Sequence, residues 1–146
     1  MDKIYFYSWK KPYFEFSNFF YAPIIIDGKE YTTNEHYFQS AKFLNKYYAE
    51  RIRLAKTPVI AKKMGASRDF PIHPDWDTRR IDVMRRAVYA KFTQHKELKK
   101  LLLSTGDAIL IEDSPTDYFW GCGKDKSGKN MLGQILMETR EKLKNE

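Results

Sequence analysis

The chain has 146 residues, 42% of them hydrophobic and 16% aromatic, which predicts one globular domain over residues 1–146 with a substantial core. Its 26 basic and 19 acidic residues give a net charge of +7, which favours an anionic partner such as a phosphate ester or a nucleic acid. The single cysteine excludes an internal disulfide, and without a signal segment or a long apolar run we expect a cytoplasmic protein that makes no membrane contact.

Short strand patterns come first along the chain. Residues 4–7 are aromatic and apolar, which predicts a first strand that ends at the break over residues 10–12. Residues 24–26 are three isoleucines, followed by Asp27-Gly28 and then by residues 29–31. An Asp-Gly pair between two such runs predicts a β-hairpin.

The helix predicted over residues 32–43 carries the most informative polar pattern. Glu35, Gln39 and Lys42 lie at i, i+4 and i+7, so all three project from one side of a helix. We predict that the opposite side packs against the core. That side holds Tyr37, Ala41 and Leu44.

Two interpretations of this polar side stay open. Thr32 and Glu35 have the spacing of a capping box, in which the hydroxyl and the carboxylate bind amides of the first helical turn. Gln39 and Lys42 would then lie in solvent. Alternatively, the polar side forms the wall of a ligand pocket.

Further helices and one more strand complete the predicted elements. Thr57-Pro58 combines an N-cap with a proline of the first turn, and Gly65 and Gly106 have the positions of helix stops. The short apolar run over residues 108–111 predicts a buried strand. The helices are predicted over residues 46–56, 57–65, 75–92, 93–104 and 131–144.

Arg80 stands out within the helix over residues 75–92. It lies in the middle of the apolar side, which it shares with Trp76 one turn earlier. An inward guanidinium must be paired or must meet an anion, because burying it alone is costly. Arg80 is therefore a candidate ligand for a phosphate, and the alternatives are a structural carboxylate partner or a position in solvent.

The loop after the predicted strand over residues 108–111 has the composition of a site. Residues 112–123 combine three carboxylates, three aromatic rings and two glycines. Together with Ser17-Asn18, the Glu35 side of its helix, and Trp76 with Arg80, this loop supplies the candidate functional residues. Such a set suits a phosphorylated nucleoside-like ligand, since rings stack on a base and cations bind phosphate. The three histidines show no metal-ligand spacing, so we expect no metal site.

Several of these segments, taken together and in order, resemble the signature blocks of the NADAR or YbiA-like family. The match spans nearly the whole chain, and its specificity comes from the combination rather than from any single block. The blocks are Phe16-Ser17-Asn18-Phe19, residues 33–39 with Lys42-Phe43, Trp76-Asp77 with Arg80 and Met84, Ser114-Pro115-x-Asp117-x-x-Trp120-Gly121, and Asn130-x-Leu132-Gly133.

The resemblance implies a fold and an activity. The implied fold is a single α+β domain in which small β-sheet and hairpin elements are surrounded by several α-helices. The implied enzyme is a hydrolase of N-glycosidic bonds. Its substrate would be a small phosphorylated ribosylamino-pyrimidine intermediate of riboflavin biosynthesis, which would lose ribose 5-phosphate, or an ADP-ribosylated guanine of nucleic acid. No cofactor and no obligate protein partner are expected.

The resemblance also implies roles for residues. Glu35, Trp76 and Asp117 would be catalytic, with Lys42 as a further catalytic candidate that either contacts phosphate or attacks a ring-opened sugar as a Schiff base. Asp113 lies near the same loop position as Asp117, which we prefer because it precedes the Tyr118-Phe119-Trp120-Gly121 run. The substrate-binding set would be Ser17, Asn18, Gln39, Arg80, Trp120, Gly121 and Asn130.

The chemistry of C1'–N cleavage agrees with these roles. The sugar gains positive charge in the transition state, which a nearby carboxylate stabilises, or the carboxylate activates water. The residues alone do not divide these two tasks between Glu35 and Asp117. A non-catalytic nucleotide or nucleic-acid binder is the alternative of another class, but binding alone does not require both carboxylates.

Overall fold

Helices dominate the architecture, and the strands are short. The computed structural model describes residues 2–146, which form an α+β fold with six α-helices, one turn of 3-10 helix and four strands. The predicted fold class is therefore confirmed. The strands are β1 (Lys3–Phe6), β2 (Ile24–Ile26), β3 (Lys29–Tyr31) and β4 (Ile109–Glu112). The helices are α1 (Asn34–Ser40), α2 (Lys46–Arg53), α3 (Pro58–Ala66), α4 (Trp76–Gln94), α5 (Lys96–Ser104) and α6 (Met131–Lys144), with the 3-10 turn at Phe14–Phe16.

The contacts divide the chain into two units. The first contains the residues up to Phe20 and His95–Glu146, and the second contains Tyr21–Gln94. The single domain over residues 1–146 stays a prediction.

In the first unit, a parallel pair of strands carries the C-terminal helix. β1 and β4 pair from Lys3 with Ile109 to Phe6 with Glu112, and α6 packs against β4. A Cβ at Gly133 would lie 2.1 Å from the carbonyl oxygen of Leu110, so this close packing of helix on strand requires glycine. Both predicted strands of this sheet are confirmed, each shifted by one residue.

In the second unit, the predicted hairpin is confirmed. β2 and β3 are antiparallel, and Asp27 and Gly28 between them have φ values of 52° and 78°. Positive φ at both central residues is the requirement of a type I′ turn, which Asp-Gly meets at low cost. Ile24 and Ile26 turn their side chains into a core with Ala87 of α4.

Helix α4 is longer than predicted. It ends at Gln94 rather than at residue 92, so α5 begins at Lys96. The Gln94 side chain accepts a hydrogen bond from the Ile25 N–H at 2.8 Å and donates one to the Ile25 carbonyl at 2.8 Å. The last turn of α4 thereby binds the backbone of β2. The predicted helix over residues 46–56 is too long, because α2 ends at Arg53.

Helix α1 lies in the interior of the second unit. All seven of its residues are buried, and it packs against α2, α3, α4 and β3. It ends at Ser40, three residues before the predicted end. Phe43 instead forms an antiparallel bridge with Ile72, and the Lys42 carbonyl accepts a hydrogen bond from the His73 N–H at 2.8 Å.

Two expectations about this helix are wrong as a result. Leu44 does not pack against the core, since the helix ends before it and 49% of its surface is exposed. The Thr32–Glu35 capping box is also wrong, because the N-cap is Thr33. Its hydroxyl accepts a hydrogen bond from the His36 N–H, and Glu35 holds the second helical position instead of the third.

His36 fixes α1 to its neighbours. Its Nδ1 lies 2.8 Å from the Thr33 hydroxyl oxygen, and its Nε2 lies 2.9 Å from the Ala55 carbonyl oxygen. The side chain is fully buried, and burial lowers the pKa of its imidazole below the ordinary value of 6.5. The folded protein therefore holds the neutral form of His36 in preference to the charged form.

The lowered pKa of His36 predicts a loss of stability in acid. The imidazole of His36 binds a proton more tightly in the unfolded chain than in the folded protein. The free energy of unfolding therefore has its highest value above pH 6.5 and falls as the pH drops from 6.5 towards the lowered pKa. We expect urea unfolding between about pH 8 and about pH 5 to show this fall. His36→Asn should be less stable at the upper pH but should show a flatter dependence. An unchanged slope in this variant would contradict the assignment.

Within residues 2–146, none of the helices has both the length and the hydrophobicity needed to cross a lipid bilayer.

Candidate active site

Polar and aromatic side chains of the second unit meet at α1 and the start of α4. We call Glu35, Gln39, Lys42, Trp76 and Arg80 the α1 polar cluster. All five were predicted from sequence. Hydrogen bonds or electrostatic interactions connect Glu35, Gln39, Lys42 and Arg80, whereas Trp76 packs against Phe38 of α1. Lys42 lies beyond the end of α1 and so is not part of a helical stripe with Glu35 and Gln39.

Glu35 and Gln39 form the buried pair of the cluster. Gln39 Nε2 donates a hydrogen bond to Glu35 Oε2 at 2.6 Å. Gln39 is 5% exposed and Glu35 is 7% exposed. A buried carboxylate is costly unless polar groups surround it. The expectation of the capping interpretation, that Gln39 lies in solvent, is therefore wrong.

Gly65, near the end of α3, packs directly on this pair. A Cβ built there would lie 1.8 Å from Gln39 Oε1 and 2.5 Å from Gln39 Cδ. Within residues 2–146, no donor forms a hydrogen bond with Gln39 Oε1. The glycine makes room for the side-chain amide of Gln39, a role that its sequence position as a helix stop did not reveal.

Replacing Gly65 with alanine is expected to destabilise the protein. Helix propensity alone favours alanine by about 1 kcal/mol, but the clash with Gln39 should outweigh this and cost about 1–3 kcal/mol. Urea unfolding of Gly65→Ala tests the sum. In a Gln39→Ala background most of the clash is absent, and there the same change should be neutral or stabilising. An equal loss of unfolding free energy in both backgrounds would show that the clash is not with the Gln39 side chain.

Lys42 is half-buried beside the pair. Its Nζ donates a hydrogen bond to the Gly65 carbonyl at 3.3 Å and lies 6.0 Å from the centre of the Phe38 ring. Burial lowers the pKa of the Lys42 amine below 10.5, and the charges of Arg68, Arg80 and Lys62 lower it further, whereas Glu35 raises it. A lysine among other cations is one recognised form of an activated amine.

Trp76 and Arg80 occupy the first turns of α4. The Trp76 ring packs against Phe38 with 5.2 Å between ring centroids and is 6% exposed. This burial limits the surface that a stacked base can contact. Arg80 is half-buried, donates from Nε to the Asp77 carbonyl at 3.3 Å, and acts electrostatically on Lys42. Its predicted neighbours on the inward side, Met84 and Ala87, are buried as expected.

Arg68 is a residue of this region that the sequence did not indicate. It lies in the loop after α3, and its Nη1 donates hydrogen bonds to the carbonyls of Gly65 and Ser67, both at 2.9 Å. The Gly65 carbonyl therefore binds both Arg68 and Lys42 at the C-terminal end of α3, where cations are favourable. The tertiary contact that places Arg68 beside Lys42 leaves no periodic signal in the sequence.

In the first unit, Asp117 organises the predicted site loop. Its Oδ1 accepts hydrogen bonds from the N–H groups of Phe119 at 2.9 Å and Trp120 at 2.7 Å. Its own N–H donates to the buried hydroxyl of Ser114 at 3.1 Å. Within residues 2–146, no donor forms a hydrogen bond with Asp117 Oδ2. Oδ1 of Asp117 thus fixes the loop.

Asp113, the other loop carboxylate weighed from sequence, has a different environment. Its Oδ1 accepts from Lys126 Nζ at 2.5 Å and from the Cys122 thiol at 3.5 Å. The ion pair with Lys126 neutralises the Asp113 carboxylate, whose side chain is 41% exposed. Asp113 is thus held by side chains and Asp117 by backbone N–H groups, and the preference for Asp117 as the carboxylate of the site stays a prediction.

Asn130 and Gly121 have structural contacts within the first unit. Asn130 Oδ1 accepts from the Glu112 N–H at 2.8 Å, and its Nδ2 donates to the Leu110 carbonyl at 2.9 Å. A Cβ at Gly121 would lie 2.9 Å from Ser114 Cβ. Their predicted contact with substrate stays a prediction, and the structure gives each of them a packing role.

The remaining predicted binding residues also lie in the first unit. The Ser17 hydroxyl accepts a hydrogen bond from the Phe19 N–H at 3.1 Å, and Ser17 and Asn18 are both buried. Trp120 is half-buried and packs edge to face on Phe119 with ring centroids 4.8 Å apart. Among residues 2–146, no three histidine, cysteine or acidic side chains are grouped as ligands for a metal ion.

These observations define an α+β protein in which a buried carboxylate, Glu35, lies near a half-buried lysine, Lys42, whose pKa is lowered by burial and by neighbouring cations. Residues 5–144 match the NADAR domain, so the chain belongs to the NADAR family. The resemblance seen in the sequence motifs is therefore confirmed.

Relatives and a solved structure agree with this membership. N-glycosidase YbiA of Escherichia coli is 48% identical over 138 residues, which cover 94% of this chain and 86% of that protein. The NMR structure of E. coli YbiA matches with a TM-score of 0.92 and 46% identity, covering 99% of this chain and 86% of that one. An N-glycosidase of Nostoc punctiforme is 43% identical over 145 residues, which cover 97% of this chain and 93% of that protein. The predicted enzyme class, a hydrolase of N-glycosidic bonds, is confirmed at this level.

A third relative has a longer chain and a more specific name. A riboflavin biosynthesis protein of Vibrio vulnificus is 37% identical over 140 residues, which cover 96% of this chain and 38% of that protein.

Proposed function

We propose that this enzyme hydrolyses the C1'–N bond of phosphorylated ribosylamino-pyrimidine intermediates of riboflavin biosynthesis and releases ribose 5-phosphate. The observation that carries the proposal is the buried Glu35 carboxylate, close enough to Lys42 to raise the pKa of that amine, within a group of cations. The name of the Vibrio vulnificus relative supports the riboflavin pathway as the source of the substrate.

The charges around Lys42 suit a phosphorylated ligand. Three further cations, Arg68, Arg80 and Lys62, act electrostatically on it, against the single carboxylate of Glu35. This excess of positive charge favours a phosphate group. Arg80 and Arg68 carry planar guanidinium groups that can bind phosphate oxygens in pairs. We assign phosphate binding to these arginines.

Glu35 stabilises the positive charge that develops on the sugar. Cleavage of the C1'–N bond gives C1' positive character, which a carboxylate in a buried setting stabilises strongly. The hydrogen bond from Gln39 holds Glu35 in one orientation. We therefore assign Gln39 as a positioning residue and Glu35 as the group that stabilises C1' and transfers protons.

Lys42 supplies the nucleophile, since burial and neighbouring cations favour its neutral amine. The sugar ring opens as O4' gains a proton, which leaves an imine between C1' and the pyrimidine amine. The Lys42 amine adds to C1', and the aminopyrimidine leaves with a proton, so that a lysine–C1' imine remains. Water then adds to C1', which releases the aldehyde of ribose 5-phosphate and restores the lysine. The alternative for Lys42 is direct contact with the phosphate.

Trp76 and Asp117 are the other two residues to which the family resemblance assigns a catalytic role. Because the Trp76 ring packs on Phe38, only its small exposed part can contact the pyrimidine, and we assign it that contact. For Asp117 the resemblance implies contact with a sugar hydroxyl or activation of water, and its Oδ1 keeps its own loop fixed through the N–H groups of Phe119 and Trp120.

Turnover on two substrates tests the proposal. Purified protein is incubated with a riboflavin-pathway ribosylamino-pyrimidine phosphate and, separately, with DNA that contains ADP-ribosylated guanosine. We expect release of the free pyrimidine from the first. Turnover of the second alone would replace the substrate by the ADP-ribosyl-guanine alternative, which the net charge of +7 favours. Binding without any turnover would leave only the non-catalytic alternative.

Arg80→Ala is expected to weaken binding of the phosphate. KM for the phosphorylated substrate should rise about tenfold or more, while the dephosphorylated analogue should show little change, because the lost interaction belongs to the phosphate. Arg79→Ala on the exposed side of α4 is the matched control, since Arg79 pairs with Asp75. Equal effects on both substrates would identify Arg80 as a structural arginine.

A further inference from the structure

The first strand and the segment that follows it present exposed aromatic rings that the proposed function does not use. Tyr5, Tyr7 and Trp9 alternate along the chain and are 42%, 48% and 72% exposed, whereas Phe6 between the two tyrosines is 1% exposed. Alternation puts Tyr5 and Phe6 on opposite faces of β1, so the apolar face is buried and the tyrosine faces outward. We call Tyr5, Tyr7 and Trp9, together with Lys3, Lys10, Lys11 and Lys126, the β1 aromatic surface.

A groove accompanies these rings. It has a volume of about 570 Å³ and is lined by the whole of β1, by Tyr7 and Ser8, by the Lys11–Tyr13 segment and by Asp113. The backbone N–H of Lys11 donates to the Ser8 carbonyl at 3.0 Å, which fixes the turn that bounds the groove. The groove is large enough to hold a planar base with its sugar.

Lysines lie over two of the three rings. Lys126 Nζ lies 5.1 Å from the centre of the Tyr5 ring, and Lys10 Nζ lies 5.5 Å from the centre of the Trp9 ring. Lys3 and Lys11 line the groove, and among residues 2–146 neither amine forms an ion pair. The one carboxylate of the groove, Asp113, is already neutralised by Lys126. The surface therefore combines exposed ring faces with net positive charge.

We propose that the β1 aromatic surface binds a single strand of nucleic acid. Bases stack on Tyr5, Tyr7 and Trp9, and the lysines bind the phosphates between them. Proteins that hold single strands without sequence preference use this combination of stacking rings and a basic groove. A duplex fits less well, because its bases are stacked on one another and offer no free faces. This binding lies in the first unit and does not depend on the proposed hydrolysis.

Fluorescence anisotropy with labelled oligothymidylate of about 12 nucleotides tests the proposal. We expect the joint variant Tyr5→Ala/Tyr7→Ala/Trp9→Ala to raise Kd about tenfold or more, since each ring stacks a base. Lys3→Gln/Lys11→Gln should reduce the slope of log K against log salt by about 1.4, at about 0.7 per phosphate contact. An abasic strand of the same length should bind about tenfold more weakly than oligothymidylate.

Exposed residues of α2 provide matched controls. Tyr47, like Trp9, is 72% exposed, so Tyr47→Ala removes an equally exposed ring, and Lys46→Gln removes an exposed lysine. Neither should change Kd. Circular dichroism and thermal unfolding show whether the variants are folded, and Trp9→Ala alone provides a milder variant outside β1. The proposal is overturned if the wild type does not bind, if control and surface variants lose affinity equally, or if polyglutamate competes as well as unlabelled oligothymidylate.

Discussion

Glu35→Gln is expected to lower turnover about 100-fold or more while leaving the fold intact. The change removes the negative charge that stabilises C1' but keeps the size of the side chain. The new amide oxygen can still accept the hydrogen bond that Gln39 Nε2 now donates to Glu35. We therefore expect kcat to fall with little change in the melting temperature. Steady-state kinetics and thermal unfolding on the same preparation measure both quantities.

Glu30→Gln is the matched control for this variant. Glu30 is an exposed carboxylate on β3, so its replacement should leave kcat unchanged. If Glu35→Gln retains activity and instead melts several degrees lower, the carboxylate serves the stability of α1 rather than the reaction.

Lys42→Met is expected to lower turnover about 100-fold or more, because we propose that the amine forms the covalent link to C1'. Lys42→Arg should be equally inactive, since a guanidinium stays protonated and cannot form an imine. Reduction with borohydride during turnover should add the mass of the sugar phosphate to the wild-type protein at Lys42. Lys46→Met, which removes an exposed lysine of α2, is the matched control and should remain active.

The pH dependence of kcat/KM supplies an independent measurement of the same role. Burial and neighbouring cations lower the pKa of the Lys42 amine, and only the neutral amine attacks C1'. Activity should therefore rise as the pH increases through this lowered pKa. A phosphate contact predicts the opposite sign, since it needs the charged amine. An active Lys42→Arg variant with no trapped adduct would establish that alternative.

The sequence was sufficient to predict those elements that depend on neighbouring residues. The Asp27-Gly28 hairpin follows from turn chemistry, and Thr57-Pro58 begins α3 where an N-cap and proline predict. The burial of Trp76 follows from helical periodicity. Arg80 is only half-buried, so its inward direction stays a prediction. Family resemblance then supplied the activity, which periodicity alone did not.

What the sequence did not predict depends on tertiary contacts. Two adjacent threonines satisfy the cap pattern, and the bonds of His36 to Thr33 and Ala55 select Thr33 over Thr32. Likewise, the end of α1 at Ser40 is set by the bridge of Phe43 with a segment about 30 residues away. Gly65 and Arg68 join the cluster through space, so no local pattern marked them.

The loop carboxylates show the same limit. Asp113 and Asp117 are four residues apart and equally plausible from composition. Their hydrogen-bond partners separate them, because Lys126 neutralises Asp113 whereas backbone amides hold Asp117. That difference arises from how residues 118–126 fold back on the loop.

The most direct test of the central claim is the stoichiometry of products from the ribosylamino-pyrimidine phosphate, measured by mass spectrometry. The wild type should release free aminopyrimidine and ribose 5-phosphate in equal amounts over many turnovers, and Glu35→Gln should release almost none. Failure of the wild type to release either product, or equal release by the variant, would contradict the account.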